Sequence, residues 1–334
     1  MKLYDVIVVG ATNLVGRKLL SILEERNFPV GRLKLLAADN TVGHEINFKA
    51  QSYKVEQVTA NSFSDKNMEL AFFLAGENIS KEFAPIAVAN KITVIDDTSF
   101  FRSQKEIPLV VPELNSKLLT HHHGIISNPN CLTTILALVL RDIHLQYNIK
   151  RVVVTTFQSV TGAGHAGVEQ LNREMQNEEV AQPKFNFKIA RNAIPAIGNV
   201  EADGFTEEEK SLMSEVNKVL NDEAIHITAT CVRAPIIGGQ CLSVNFECAK
   251  EITTGDVKHI LSKVSGVVLQ DDAINNLYPM PLTANNKDGV FVGRIRKDSS
   301  AKNAISLYIV SDNLRKGSAT NLVQIAEEVI KLKP

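Results

Sequence analysis

The 334-residue chain has no tryptophan and only four cysteines. The four stand at 131, 231, 241 and 248, with no CxxC pair and no zinc-ligand spacing, which argues against a disulfide framework or a structural metal; reduced thiols suit a cytoplasmic protein. An excess of one charge is also missing. Lys and Arg number 36 against 37 Asp and Glu, a formal net charge of -1, so there is no general electrostatic case for a nucleic-acid or anionic-membrane partner. No apolar run approaches the ~20 residues of a membrane span. Residues 1–9 run into a strand pattern without the charged region and cleavage site of an export signal. Repeats and low-complexity tracts are absent as well. What remains, 44% hydrophobic and 22% charged, has ordinary globular composition, is long enough for two domains and points to small-molecule chemistry.

Within that frame the stretch Ser127-Asn128-Pro129-Asn130-Cys131 stands out. Pro129 and Asn130 read as a turn and an N-cap, and the apolar residues 132–138 as a helix that Cys131 opens. A thiol there faces unpaired amides and the positive end of the helix dipole, which favour thiolate over thiol. Cys131 is therefore a candidate nucleophile, weighed against the commoner role of a free cysteine as a small buried hydrophobe. His121-His122-His123 reads as an exposed loop, because successive residues of an extended segment point to opposite faces and no further metal partners stand nearby.

Residues 5–9 form a short apolar run ending in Gly10-Ala11-Thr12-Asn13-Leu14-Val15-Gly16, and residues 17–26 carry apolar side chains at helical spacing. This is strand, glycine turn, helix, a variant of the dinucleotide turn with Asn13 in place of the middle glycine. The next strand, 33–38, ends in Asp39, where an acidic residue often meets a ribose hydroxyl, and no arginine follows until Arg102. Strands at 70–74 and 93–95 flank a helix at 80–89, and residues 124–127 form the strand that delivers Cys131; this alternation predicts a doubly wound parallel sheet. Residues 108–113 read as extended between two prolines. Beyond about residue 140 the strands lengthen and become β-branched, at 151–157, 225–233, 242–248 and 304–311, which predicts half-buried antiparallel sheet. Thr206-Glu207-Glu208-Glu209 reads as a capping box with Glu209 at its third helical position, and 319–333 as an amphipathic helix.

Several separated segments, in this order, resemble the aspartate-semialdehyde dehydrogenase family: Ser127–Cys131, Gln158 before the loop Ser159-Val160-Thr161-Gly162-Ala163-Gly164, Cys231-Val232-Arg233-Ala234-Pro235 and Asp312-Asn313-Leu314-Arg315-Lys316-Gly317. The likeness runs from residue 5 to about 328. It implies a Rossmann-like α/β nucleotide-binding domain, residues 1–131 plus 312–334, with an inserted α+β substrate and dimerisation domain, 132–311. It also implies NADP-linked interconversion of L-aspartyl-4-phosphate with L-aspartate-4-semialdehyde and phosphate, in lysine, threonine and methionine biosynthesis, by a homodimer. In that chemistry Cys131 would hold the acyl group as a thioester and Gln158 would orient the substrate. Arg233 would grip the α-carboxylate, Glu207 the ammonium, and Arg102 and Lys210 the phosphate, with Asn130 beside the thiol. Gly10, Thr12, Asn13, Leu14 and Val15 would line the pyrophosphate turn, Asn40 and Thr41 the adenosine side, and Thr161, Gly162 and Asn313 the nicotinamide.

Two positions depart from the family pattern. The proton carrier is a histidine seven residues after the arginine, and here Gln240 stands in that place, in Ile237-Gly238-Gly239-Gln240-Cys241. A neutral amide donates and accepts hydrogen bonds but has no accessible pKa, so it cannot serve as general base. This leaves an active enzyme with water or His165 relaying the proton, a slow or differently specific paralogue, or a subunit that binds nucleotide or an acidic metabolite without turnover. The second departure is Asn40-Thr41 in place of an Arg-Ser pair against the 2′-phosphate, so NADP is the expected cofactor and NAD an alternative.

Overall fold

Runs such as Ile7-Val8-Val9, apolar at every position, have no face to offer water and make strands buried on both sides. The computed structural model of the chain describes residues 2–38 and 40–332; Asp39, the expected ribose ligand, lies outside the described residues. The chain divides into two compact units, one made of residues up to Asn130 together with those from Ser318 onward, the other of Cys131–Gly317.

In the first unit β1 (Tyr4–Val9) leads through the glycine turn into α1 (Leu14–Glu25) and β2 (Val30–Ala37). A hairpin of β3 (Glu45–Phe48) and β4 (Gln51–Lys54) follows, then β5 (Glu56–Gln57), β6 (Leu70–Phe73), α2 (Glu77–Ala89), β7 (Thr93–Asp96), α3 (Pro112–Asn115) and β8 (Ile125–Ser127). The sheet runs in the order β5-β2-β1-β6-β7-β8 with every pairing parallel, the doubly wound arrangement expected. Its order reverses beside β1, and such a reversal opens a ligand crevice at the strands' carboxyl ends. Leu109 bridges Ser127 in parallel, but Pro112 starts α3 and so ends the extended segment expected through 113.

The second unit begins with α4 (Cys131–Tyr147), β9 (Ile149–Gln158), α5 (Gly164–Met175), α6 (Glu207–Leu220), β10 (His226–Arg233) and β11 (Gln240–Cys248). It closes with α7 (Thr254–Leu261), β12 (Val267–Leu269), α8 (Pro281–Ala284), β13 (Val290–Lys297) and β14 (Ala304–Ser311). The sheet order is β10-β9-β11-β14-β13-β12. The expectation of antiparallel sheet is corrected here to a mixed one: β9 pairs with β10, and β12 with β13, in parallel, and the rest are antiparallel. The reason is connection length, since α5 and α6 lie between β9 and β10 and a parallel neighbour needs such a crossover. Alternation gives this sheet two unlike faces. Val152, Val154 and Thr156 of β9 lie opposite Phe246, Val244 and Leu242 of β11 and are buried, while Arg151, Val153 and Thr155 lie opposite Glu247, Asn245 and Ser243 and are partly or fully exposed.

The chain then returns to the first unit as α9 (Thr320–Leu332), whose Leu322, Val323, Ile325, Ala326 and Val329 pack with α1 on one side of the parallel sheet. The other side is closed by Phe83, Ala84 and Ala87 of α2.

Candidate active site

Cys131 is the first residue of α4 and is half-buried, whereas Cys231, Cys241 and Cys248 are buried. Burial raises all three of those thiols, Cys231 and Cys248 to about 12, so they stay protonated and unreactive at neutral pH. Gly317 lies against the backbone of Cys131: a Cβ there would come 2.6 Å from Cys131 Cβ. Gln240, 1% exposed, receives the Cys131 thiol on Oε1 at 3.4 Å.

Beside them, β9 and β10 end together. Gln158 is buried at the end of β9, with Oε1 accepting from the Thr156 hydroxyl at 3.0 Å and Nε2 donating to Glu208 Oε1 at 2.9 Å. Arg233, paired with Gln158 in the strand register, is 7% exposed and donates through Nη1 to the Ser159 carbonyl at 2.5 Å. Burial lowers its pKa, opposed by the Glu208 charge. Gly162 gives the guanidinium room, because a Cβ there would stand 2.9 Å from Nη1. Thr161 donates its hydroxyl to Asn313 Oδ1 at 2.9 Å, which joins two of the residues expected near the nicotinamide. A cavity of about 600 Å³ opens beside Arg233 and Gly162, walled by Phe185, Phe187 and Ile194.

The acidic helix start sorts its three carboxylates by angle, since successive helical residues are about 100° apart. Glu209 completes the capping box, accepting the Thr206 amide at 2.8 Å, and its other oxygen takes the Cys231 amide at 2.9 Å. Glu208 reaches Gln158. Glu207 is exposed and accepts from Asn199, and Lys210 pairs with Asp203 at 2.8 Å and with Glu201, so the two do not pair with each other. The sequence pattern does not single out Glu208; once Glu209 closes the capping box, helical phase turns Glu208 toward β9.

In the first unit Arg102 donates to the backbone carbonyls of Asn128 at 3.0 Å and Asp97 at 2.7 Å. Asn128 is itself held by Asp97 and Asn321, and Asn130 is 8% exposed. These bonds fix the chain just before Cys131. The glycine turn keeps its form through Gly10, at φ +93, and Gly16, where a Cβ would lie 2.2 Å from the Gly10 carbonyl oxygen. Asn13 caps α1 by accepting the Gly16 amide at 2.7 Å and donates to the Leu74 carbonyl at 2.8 Å. The first-turn amides of Leu14 and Val15 have no intrahelical acceptor and are offered to an anion. This backbone cradle fits a dinucleotide pyrophosphate. Thr41 shares a hydrogen bond with Thr12 at 2.8 Å, Asn40 is exposed, and Lys34 is engaged by Glu56 and the Ser62 carbonyl. Among the described residues no three His, Cys, Asp or Glu side chains are grouped to hold a metal, and no helix is long and apolar enough to cross a membrane.

Two family models match the chain: "semialdehyde dehydrogenase, NAD binding domain" over residues 5–122 and "semialdehyde dehydrogenase, dimerisation domain" over 140–316. The aspartate-semialdehyde dehydrogenase of Aquifex aeolicus is 43% identical, covering 98% of both chains, and that of Bacillus subtilis is 42% identical over 98% of this chain and 97% of the relative. The chain belongs to the aspartate-semialdehyde dehydrogenase family. A crystal structure of aspartate semialdehyde dehydrogenase II from Vibrio cholerae complexed with ASA superposes with a TM-score of 0.95 at 36% identity, covering all of both chains. Membership makes the first unit the NAD(P)-binding domain of an oxidoreductase and the second a dimerisation domain.

Proposed function

We propose that this chain catalyses the NADP-dependent, reversible conversion of L-aspartate-4-semialdehyde and phosphate into L-aspartyl-4-phosphate through a thioester on Cys131. The observation that carries this reading is the convergence on one half-buried thiol, at the start of α4, of Gln240, with Gln158 and Arg233 at the adjoining strand ends and Glu208 of α6 bonded to Gln158, all in the same unit. The nicotinamide cofactor, when bound, accepts or supplies the hydride. Gly10, Thr12, Asn13, Leu14 and Val15 would hold its pyrophosphate, Asn40 and Thr41 its adenosine end, and Thr161, Gly162 and Asn313 its nicotinamide end.

Arg233 offers a planar fork to the substrate α-carboxylate, and its burial strengthens that interaction relative to water. Gln158 is oriented by Thr156 and Glu208, so its position at the strand end does not depend on the substrate. Glu208 is the carboxylate we assign to the substrate ammonium together with Glu207. Arg102 and Lys210 take the phosphate, Lys210 by exchanging its exposed ion pairs, which are worth little in water. The open face of the second unit's sheet, around Val153 and Thr155, would meet a second copy in a homodimer.

The test is nicotinamide absorbance during incubation with the semialdehyde. Reduction that requires phosphate and has a lower KM for NADP than for NAD supports the reading; no reduction with either cofactor contradicts it, and a preference for NAD overturns the cofactor assignment.

A further inference from the structure

Gln240 begins β11 opposite Ser311 of β14, after Gly238 at φ +70 and Gly239 at φ +75. The loop before it is tied down by the Gly238 amide, which donates to Ser159 Oγ at 3.1 Å. Its side chain is thus a fixed part of the site. Oε1 faces the Cys131 thiol, the weak donor of that pair, and Nε2 is buried with no hydrogen-bond partner among the described residues. An unmet N–H in a buried primary amide is destabilising, and sites retain one where an acceptor arrives with a ligand. The acceptor that arrives next to the reacting sulfur is the oxygen on the carbon it attacks.

We propose that Gln240 is a catalytic oxyanion donor and that the oxidation half of the reaction proceeds with no proton acceptor; this rests on the thioester reading given above. The Cys131 thiolate adds to the aldehyde carbon, the S–C bond forms and the carbonyl π pair moves onto oxygen. That alkoxide accepts a hydrogen bond from Gln240 Nε2, and the proton stays on nitrogen. The C–H pair leaves as hydride to the oxidised nicotinamide, and the carbonyl re-forms as a thioester. No proton has moved between thiolate and thioester. The one proton released comes from hydrogen phosphate when its oxygen displaces the sulfur, which leaves as thiolate; the proton goes to water. A fixed neutral donor suffices because it stabilises charge where charge develops.

The test compares two pH profiles of the wild-type chain: kcat/KM for the semialdehyde at saturating phosphate, and the rate of Cys131 alkylation by iodoacetamide without substrate or cofactor. They should rise together with one ionisation, that of the thiol. Gln240→Met should keep the fold, judged by thermal unfolding, and an alkylation profile with a single ionisation, while kcat falls about 10²–10³-fold. Gln240→His should add to the kcat/KM profile a second ionisation near pH 6–7. A wild-type kcat/KM profile with an ionisation absent from alkylation, or a Gln240→Met kcat within about twofold of wild type, overturns the inference while leaving the thioester reading standing. Absence of phosphate-dependent oxidation in the wild type overturns both. If Gln240→Met does not fold, the wild-type profiles and Gln240→His decide.

Discussion

At the scale of single residues the site is built on contrasts among chemically equal groups. Four thiols share one chain, yet three are buried with raised pKa and only Cys131 is half-exposed at a helix start. Iodoacetamide at pH 8 should therefore label Cys131 alone, and Cys131→Ser should abolish both that labelling and turnover; equal labelling of all four would contradict the assignment. Gly317 is the second contrast. A methyl there would press on Cys131 Cβ and Cα, so Gly317→Ala should cost about 1–3 kcal/mol in denaturant unfolding and lower kcat. Cys131, Gln158 and Arg233 were legible as candidates because each stands in a short segment whose neighbours repeat the family pattern. Glu208 was not, because in a run of three glutamates only helical phase tells which one turns to β9, and phase is fixed by the Thr206 cap. The roles given to Glu207 and Lys210 came from the resemblance alone, and the partners they have here, Asn199 for one and Glu201 and Asp203 for the other, lie in a loop with no sequence signal.

At the scale of elements, local chemistry and long-range pairing differ in how far they can be read. The α6 start was legible in full, because a capping box is closed by residues three apart. Glu209 also takes the Cys231 amide, so Glu209→Ala should leave two buried amides unpaired, at about 1–3 kcal/mol each in thermal or denaturant unfolding. A loss under about 0.5 kcal/mol would mean the carboxylate is dispensable. The hairpin of β3 and β4 was not legible, since its turn places Lys49 at φ 46 and Ala50 at φ 60 without the Gly or Asn that announces such a turn. In the parallel sheet, burial pushes the Asp96 carboxyl at the end of β7 up to about 6, with the bonds from Thr98 opposing. Its folded pKa lies above the unfolded value of 3.8, so the stability it contributes is complete below about pH 4 and lost as pH rises through 6. Asp96→Asn should therefore gain stability over wild type by about 3 kcal/mol between pH 4 and pH 7; a constant difference would contradict the shift.

At the scale of the molecule, the alternation of short apolar strands and helices was enough to give the doubly wound sheet. The second sheet resisted because strand direction depends on which distant segments pair, and β13, with its charged end Arg294-Ile295-Arg296-Lys297, offers no apolar run of strand length. Its unlike faces have a consequence for assembly. The half-exposed face lies within the segment matched as a dimerisation domain, so light scattering should give twice the chain mass, and Val153→Asp should give the monomer. The central claim is that Cys131 carries the acyl group, and the most direct measurement is mass spectrometry of the protein after incubation with the semialdehyde and NADP in the absence of phosphate. We predict an aspartyl adduct on the peptide that contains Cys131, discharged when phosphate is added. An enzyme that reduces the cofactor with no adduct on that peptide, or with an adduct on another residue, would contradict the account.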